Sequence, residues 1–183
     1  NIQGFEFLSC IPGTIGGGLK INSGCFGREF KDILVSIQAI DRNGTITTIP
    51  AEKIKFGYRS SPIDKNLIFL SASFKGKKGD KEEISKNIFY LKQKKDQNQP
   101  TRIKTGGSTF KNNNEKKAWM LIKESGCDKF YVGDAKIAEK HCNFFFNNGK
   151  AKTSDIEKLI HKVKKEVKAK TGVNLDLEIK IIG

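Results

Sequence analysis

The sequence has no apolar stretch close to the roughly 20 residues that a membrane-spanning helix needs. Its first residues lack the basic start and apolar segment of a signal peptide, and an initiator methionine is absent, so we expect the chain to begin inside a longer protein. The two histidines and four cysteines form no C-x-x-C pair and no metal-ligand spacing. These absences predict a cytoplasmic protein with reduced cysteines, no bound metal and no membrane segment.

The sequence is strongly basic, with 34 lysine and arginine residues against 20 acidic residues and a formal net charge of +14. Nucleic-acid-binding proteins, enzymes that handle several phosphates and proteins with lysine-rich surfaces all have such a balance. The lysines are spread along the chain, and no compact basic block is interleaved with aromatic residues. The pattern predicts no specific nucleic-acid binding, and a basic nucleotide- or nucleic-acid-binding module is kept as an alternative.

Hydrophobic periodicity predicts interleaved strands and helices without regular β–α–β spacing, which is typical of the α+β class. Asn43-Gly44 predicts a hairpin between two of the strands, and Ser154 with Glu157 has the spacing of a capping box. Gly172 is expected to end the last helix. The predicted strands are 33–41, 45–49, 66–74, 143–147 and 175–181, and the predicted helices are 81–95, 116–125 and 155–170.

Four segments contain residues that could carry chemistry, although each also has an ordinary structural interpretation. The glycine-rich segment 11–18 could hold phosphate oxygens or form a tight turn, and it matches neither the Walker A pattern nor G-x-G-x-x-G. Ser108 follows two glycines and could deliver a proton or belong to a polar turn. Arg59 beside Tyr58 could bind a carboxylate or lie on the surface, and Glu178 could be functional or solvated. His141, His161 and Trp119 are expected to be structural.

Taken in order, six segments resemble the UDP-N-acetylenolpyruvoylglucosamine reductase family, and the likeness covers essentially the whole chain. They are GFEFLSCIPGTIGG at 4–17, NSGCFG at 22–27, FGYRSS at 56–61, GSTFKN at 107–112, EKHCNF at 139–144 and EIKIIG at 178–183. No single segment is decisive, but their order is specific.

The resemblance implies an enzyme that reduces UDP-N-acetylglucosamine enolpyruvate to UDP-N-acetylmuramate in peptidoglycan precursor synthesis, with FAD as cofactor and NADPH as co-substrate. It implies that the reduced flavin passes hydride to the enolpyruvyl β-carbon and that Ser108 protonates the α-carbon. Arg59 and Glu178 would hold and polarise the substrate carboxylate, and further substrate contacts are expected from Tyr58, Lys111 and Asn112. A fixed guanidinium next to developing negative charge is a common source of catalysis.

The resemblance also implies the domain organisation and the cofactor contacts. Residues 1–78 would be the C-terminal portion of an FAD-binding domain, its second subdomain, and residues 79–183 a small α+β substrate-binding domain. The first FAD subdomain would precede Asn1, and the protein is expected to be a monomer. A flavoprotein of related fold with another substrate is the second alternative. The expected cofactor-binding residues are Ile11, Pro12, Gly13, Thr14, Gly16, Gly17, Asn22 and Gly24.

Overall fold

The computed structural model describes residues 1–113 and 115–182, which form two compact units divided between Lys95 and Asp96. Every strand pair in this described part is antiparallel, and helices adjoin the sheets, so the α+β class is confirmed. The sequence analysis predicted the boundary after residue 78. The division in the structure lies further along the chain, inside the helix Lys81–Asn98. The assignment of the two parts to flavin binding and substrate binding stays a prediction.

The first unit is built from short strands and one three-stranded sheet. Its elements are β1 (Ile2–Gln3), α1 (Ile15–Lys20), β2 (Gly24–Cys25), β3 (Arg28–Glu29), β4 (Leu34–Ile40), β5 (Ile46–Pro50), β6 (Ile68–Phe74), β7 (Lys77–Lys78) and α2 (Lys81–Asn98), the last of which runs into the second unit. The sheet has the order β5-β4-β6, and β1 pairs with β7. The predicted hairpin is confirmed, because Ile40 pairs with Ile46 and Gly44 takes the left-handed φ of 86°.

The core of the first unit lies between α1 and this sheet and contains Leu19, Phe30, Leu34, Ile37 and Ile54. Glycine is required at position 18, because a β-carbon there would lie 2.5 Å from the Phe30 ring. Contact between α1 and Phe30 therefore fixes the end of the glycine-rich segment.

The second unit packs two helices against a four-stranded sheet of order β8-β11-β10-β9. Its elements are β8 (Lys104–Ser108), α3 (Ala118–Glu124), β9 (Tyr131–Val132), β10 (Ala135–Ile137), β11 (Phe144–Asn147) and α4 (Thr153–Thr171). The buried stripes of the helices form the core, to which α3 gives Leu121 and Ile122 and α4 gives Leu159, Ile160, Val163 and Val167. Burial of these stripes confirms the helical pattern predicted from the sequence.

The predicted capping box of α4 is wrong, whereas its predicted end is confirmed. The helix begins before the predicted start, so the carboxylate of Asp155, and not Glu157, accepts a hydrogen bond from the backbone N–H of Lys152 (2.9 Å). Gly172 ends the helix with a φ of 73°. The C-terminal boundary was the easier one to predict because glycine is strongly favoured at this left-handed position.

The predicted strand 175–181 is wrong, since the described residues there form only an isolated bridge between Leu177 and Phe110. Leu175 is buried, as the alternation of apolar residues predicts. A bulge in β8 interrupts the neighbouring edge next to this bridge, and pairing therefore does not continue. Gly183, which ends the last family-like segment, lies outside the described residues.

Candidate active-site residues

Ser108 lies at the end of a β-bulge in the second unit. The register of β8 on β11 pairs Ser108 with Phe144 but Thr105 with Phe146, so β8 has one extra residue. Gly107 accommodates the bulge with a φ of 89°. The hydroxyl of Thr105 donates to the carbonyl of Phe145 (2.7 Å) and accepts from the N–H of Gly107 (3.2 Å). These contacts hold the backbone at Gly107 and so restrict where Ser108 is placed.

A buried asparagine fixes the backbone on the other side of Ser108. The side chain of Asn143 accepts from the N–H of Phe110 (3.0 Å) and donates to the carbonyl of Phe110 (2.8 Å). The backbone carbonyl of Asn143 accepts a hydrogen bond from the backbone N–H of Thr109 (2.7 Å). Asn143 is only 3% exposed, and a buried amide that satisfies one residue twice restricts its backbone strongly. The sequence analysis did not assign this role to Asn143. A polar residue directly before a buried apolar strand is a pattern that indicates such a structural side chain.

Glu178 lies beside the same segment although it is distant in sequence. Its backbone N–H donates to the carbonyl of Thr109 (2.9 Å), and the N–H of Lys111 donates to the carbonyl of Asp176 (2.8 Å). Glu178 is half-buried. The second unit therefore brings the backbone of Glu178 next to Thr109, the residue that follows Ser108.

Asn112, an expected substrate contact, has a structural function in the second unit. Its side-chain oxygen accepts from the N–H of Ala118 (3.0 Å), the first residue of α3. A helix leaves its first N–H groups without partners inside the helix, so this bond stabilises the start of α3. Its substrate role stays a prediction.

Arg59 occupies an unusual backbone position in the first unit. It lies in the turn between Gly57 and Ser60 with a φ of 49°, a conformation that costs a non-glycine residue about 1–2 kcal/mol. The guanidinium donates to the carbonyl of Gly24 (2.9 Å) and lies 5.1 Å from the centroid of the Tyr58 ring. Such a backbone outlier with an arginine, where glycine or asparagine is usual, supports a functional reason for the side chain.

Asn22 and Gly24, both expected cofactor contacts, have structural reasons for their identity. Asn22 is fully buried, and its side chain donates to Glu29 (3.0 Å) and to the carbonyl of Gly57 (3.1 Å) and accepts from the N–H of Lys31 (3.1 Å). A β-carbon at Gly24 would lie 2.3 Å from the carbonyl oxygen of Arg28. The first unit thus joins Asn22, Gly24, Tyr58 and Arg59 in one region, whatever ligand binds there.

The remaining expected cofactor contacts lie on the glycine-rich segment before and within α1. Pro12, Gly13 and Thr14 are exposed, and Gly13 has a φ of 120° with no atom within 4 Å of an added β-carbon. The hydroxyl of Thr14 accepts from the N–H of Gly17 (3.1 Å) and caps α1. Ile11 and Gly16 are half-buried. The segment offers open backbone at 12–14, which a phosphate could approach closely.

The four cysteines are free thiols. Burial is the main cause that raises the pKa of Cys25 and Cys127 to about 11, and it also raises the pKa of Cys142. These three side chains are therefore protonated at neutral pH and poorly suited as nucleophiles. Within residues 1–113 and 115–182, no group of three or more metal-ligating side chains is found, and no helix is long and apolar enough to cross a membrane.

Comparison with known proteins identifies the relationship of the chain. Residues 99–182 match the model of the UDP-N-acetylenolpyruvoylglucosamine reductase C-terminal domain. Reductases of this name from Pelagibacter ubique and Rickettsia conorii are 59% and 48% identical over 99% and 100% of the chain, which covers 61% and 62% of them. The crystal structure of the Thermus caldophilus reductase matches with a TM-score of 0.87 and 32% identity over 98% of this chain and 64% of that one.

The α+β fold and these matches relate the chain to proteins named UDP-N-acetylenolpyruvoylglucosamine reductase. Residues 99–182 belong to the UDP-N-acetylenolpyruvoylglucosamine reductase C-terminal domain family, and the whole chain is similar to reductases of that name, as the order of its sequence motifs predicts. The chain spans about three fifths of the length of the curated relatives that it matches. The structure brings Ser108 and Glu178 together in one unit and Tyr58 and Arg59 together in the other, and the roles of all these residues stay predictions.

Proposed function

We propose that the protein reduces UDP-N-acetylglucosamine enolpyruvate to UDP-N-acetylmuramate for peptidoglycan synthesis, using FAD and NADPH. Support comes first from the 59% identity to a reductase of this name over nearly the whole chain. The proposal includes a monomeric enzyme in the cytoplasm. The observations that support its chemistry are the bulge before Ser108 and the hydrogen bond from the backbone N–H of Glu178 to the carbonyl of Thr109.

Ser108 is proposed as the proton donor. An alcohol is a weak acid, so it can protonate a carbon only when a rigid support holds it within about 3 Å of a reactive centre. Thr105 and Asn143 supply that rigidity, because their side chains hold the backbone before and after Ser108. The hydroxyl would give its proton to the α-carbon, which retains an extra electron pair once the β-carbon has accepted hydride.

Arg59 and Glu178 are proposed to hold the substrate carboxylate while negative charge develops next to it. Arg59 is well suited to this, since its guanidinium has a fixed charge and planar donors, and the bond to Gly24 limits its movement. A cation fixed before the reaction stabilises the developing charge without reorganisation. Tyr58, Lys111 and Asn112 are proposed as further substrate contacts.

The residues of the glycine-rich segment fit FAD in part. Open backbone at Pro12, Gly13 and Thr14 would accept the close approach of a diphosphate. The N–H of Gly17 is already bonded to Thr14, so we assign the phosphate contacts to the exposed residues before the helix. When bound, FAD carries to the enolpyruvyl β-carbon the hydride that it takes from NADPH.

Substitution of Ser108 by alanine tests the proposal. In a preparation that binds FAD, Ser108→Ala should leave flavin reduction by NADPH nearly unchanged, because that step needs no proton at the α-carbon. Reoxidation of the reduced flavin by the enol ether should slow by orders of magnitude. Rapid-mixing measurement of flavin absorbance separates the two steps, and undiminished reoxidation in the variant would refute the proton-donor role.

The same measurement decides between this reaction and a related flavoprotein with another substrate. Under the proposal, UDP-N-acetylglucosamine enolpyruvate reoxidises the reduced flavin of the unsubstituted protein. If the enol ether does not reoxidise a flavin that NADPH has reduced, the flavoprotein assignment survives and the substrate assignment fails.

A further inference from the structure

The outer side of α4 is an exposed basic surface that the proposed reaction leaves without a role. The buried side chains of α4 lie on one side of the helix and pack into the core of the second unit. At about 100° per residue, the opposite side is formed by seven exposed residues. These residues, together called the α4 face, are Ser154, Lys158, His161, Lys162, Lys165, Lys168 and Ala169.

The α4 face carries four lysines and no carboxylate. The acidic residues of the helix are Asp155, Glu157 and Glu166, which lie outside the face and are half-buried. Two of them are already engaged, because Asp155 accepts from the backbone N–H of Lys152 (2.9 Å) and Glu166 pairs with Lys170 (3.1 Å). The positive charge of the face is therefore not neutralised by the carboxylates of its own helix.

An exposed aromatic side chain lies beside this face. Strand β9 packs against α4, and Tyr131 in β9 is 64% exposed. The ammonium group of Lys162 lies 4.4 Å from the centroid of the Phe130 ring, which places the residue before Tyr131 directly against the helix. Lysines next to tyrosine are typical of surfaces that rest on a bilayer, because the ring suits the headgroup level and the ammonium groups attract anionic headgroups.

The composition of the α4 face distinguishes between classes of acidic partner. Lysine is depleted in protein–protein interfaces, where arginine and aromatic residues are enriched. Sequence-specific contacts to bases commonly use the paired donors and acceptors of arginine, asparagine or glutamine, and the face has none of these. Lysine carries a strongly hydrated point charge on a flexible stem, which suits attraction to a plane of negative charge.

We propose that the α4 face holds the protein on the surface of a bilayer that contains anionic lipids. Its lysines extend from Lys158 to Lys168, about 15 Å along one side of a straight helix, so all four can approach one plane together. The apolar side of α4 is buried in the core, and the contact is therefore electrostatic and does not insert the helix. The proposal does not depend on the proposed reaction, since its test measures binding alone.

Co-sedimentation with lipid vesicles tests the proposal on the 183-residue chain. Vesicles of phosphatidylcholine with about one third phosphatidylglycerol should bind the chain at least about ten-fold more tightly than vesicles of phosphatidylcholine alone. Binding to the anionic vesicles should weaken steeply between about 50 and 200 mM salt, because salt screens charges that are exposed to solvent.

Removal of lysines from the α4 face should weaken this binding. A variant that combines Lys158→Gln, Lys162→Gln and Lys165→Gln should bind the anionic vesicles about 100-fold more weakly, because each lysine near an anionic surface contributes about five-fold. Glutamine has nearly the helix propensity of lysine, so the helix is retained, which circular dichroism checks. Tyr131→Ser leaves the charge unchanged and should weaken binding by about two-fold or more.

A second variant with the same net charge is the matched control. It combines Lys53→Gln, Lys55→Gln and Lys65→Gln, three exposed lysines of the first unit. Because it lowers the net charge by the same three units but leaves the α4 face intact, it should weaken vesicle binding by less than about five-fold.

Three results would overturn the proposal. The first is equal binding, or none, to anionic and neutral vesicles. The second is equal weakening by the two triple variants, which would assign the binding to net charge alone. The third is a larger loss of affinity for a labelled DNA duplex than for anionic vesicles in the α4 variant, which would assign the face to nucleic acid. Unchanged vesicle binding by Tyr131→Ser would overturn the part assigned to the tyrosine.

Discussion

At the scale of single residues, the structure separates side chains that the resemblance grouped together. Asn22 and Arg59 both take left-handed backbone conformations, with φ of 46° and 49°. The amide of Asn22 is buried and satisfied by three protein groups, whereas the guanidinium of Arg59 donates to the carbonyl of Gly24 from a partly exposed position. Because asparagine tolerates this conformation better than arginine, Asn22 has a structural explanation and Arg59 needs a functional one.

Substitution of Asn22 tests this distinction. Asn22→Ala should lower the free energy of unfolding of the flavin-free chain by about 2–4 kcal/mol, because it leaves the N–H of Lys31 without its partner and removes the bonds to Glu29 and to the carbonyl of Gly57. Asn66→Ala, at an exposed position, is the control and should change the stability by less than about 0.5 kcal/mol. Urea denaturation measures both, and an unchanged midpoint for Asn22→Ala would show that its role is ligand binding alone.

At the scale of secondary-structure elements, the bulge in β8 is the feature that turns an ordinary strand end into a candidate site. A regular strand would continue the β8 pairing through Gly106 and Gly107. The extra residue instead changes the direction of the backbone just before Ser108. Hydrogen bonds from Gly107 to Thr105 and from Phe110 to Asn143 stabilise the backbone in this conformation. Bulges commonly serve to re-aim a side chain next to active sites.

Removal of the Thr105 hydroxyl tests the function of the bulge. Thr105→Val keeps a β-branched side chain but loses the bonds to Phe145 and Gly107, so the stability should fall by about 1–2 kcal/mol. In the FAD-bound protein, flavin reduction by NADPH should be unaffected, while reoxidation by the enol ether slows by about ten-fold or more. Thr101→Val, an exposed threonine nearby in sequence, is the matched control. Loss of stability without slower reoxidation would mean that the bulge only supports the fold.

At the scale of the whole molecule, the net charge of +14 is the feature that most suggests another function. The described residues form two units with separate cores, and the chain matches reductases along its length. The dispersed lysines of this sequence attract polyanions through charge alone. Binding of this kind does not depend on base sequence, and it weakens as the salt concentration rises.

The charge therefore leads to a prediction about nucleic acids. Two DNA duplexes of equal length and unrelated sequence should bind the chain with equal affinity, and binding should fall steeply between about 50 and 200 mM salt. Fluorescence anisotropy of labelled duplexes measures this. A preference of more than about a thousand-fold for one duplex, kept at the higher salt, would favour the nucleic-acid-binding alternative.

Local signals in the sequence were enough to predict the class of fold and its longest strands and helices. The apolar stripe of α4, the left-handed glycine at 172 and the Asn43-Gly44 turn all act within a few residues, so they need no knowledge of the rest of the chain. The order of the motifs predicted the family for the same reason, because each motif is a short stretch that can be recognised alone.

The tertiary structure alone decided how the candidate residues are supported. The strand predicted at 175–181 failed, because strand formation depends on an available neighbouring edge and the bulge interrupts that edge. The bond of Asn143 to Phe110, the burial of Asn22 against Gly57 and the approach of Glu178 to Thr109 join residues that are far apart in sequence. Local patterns carry no information about such contacts, since the free energy that forms them comes from packing of the complete chain.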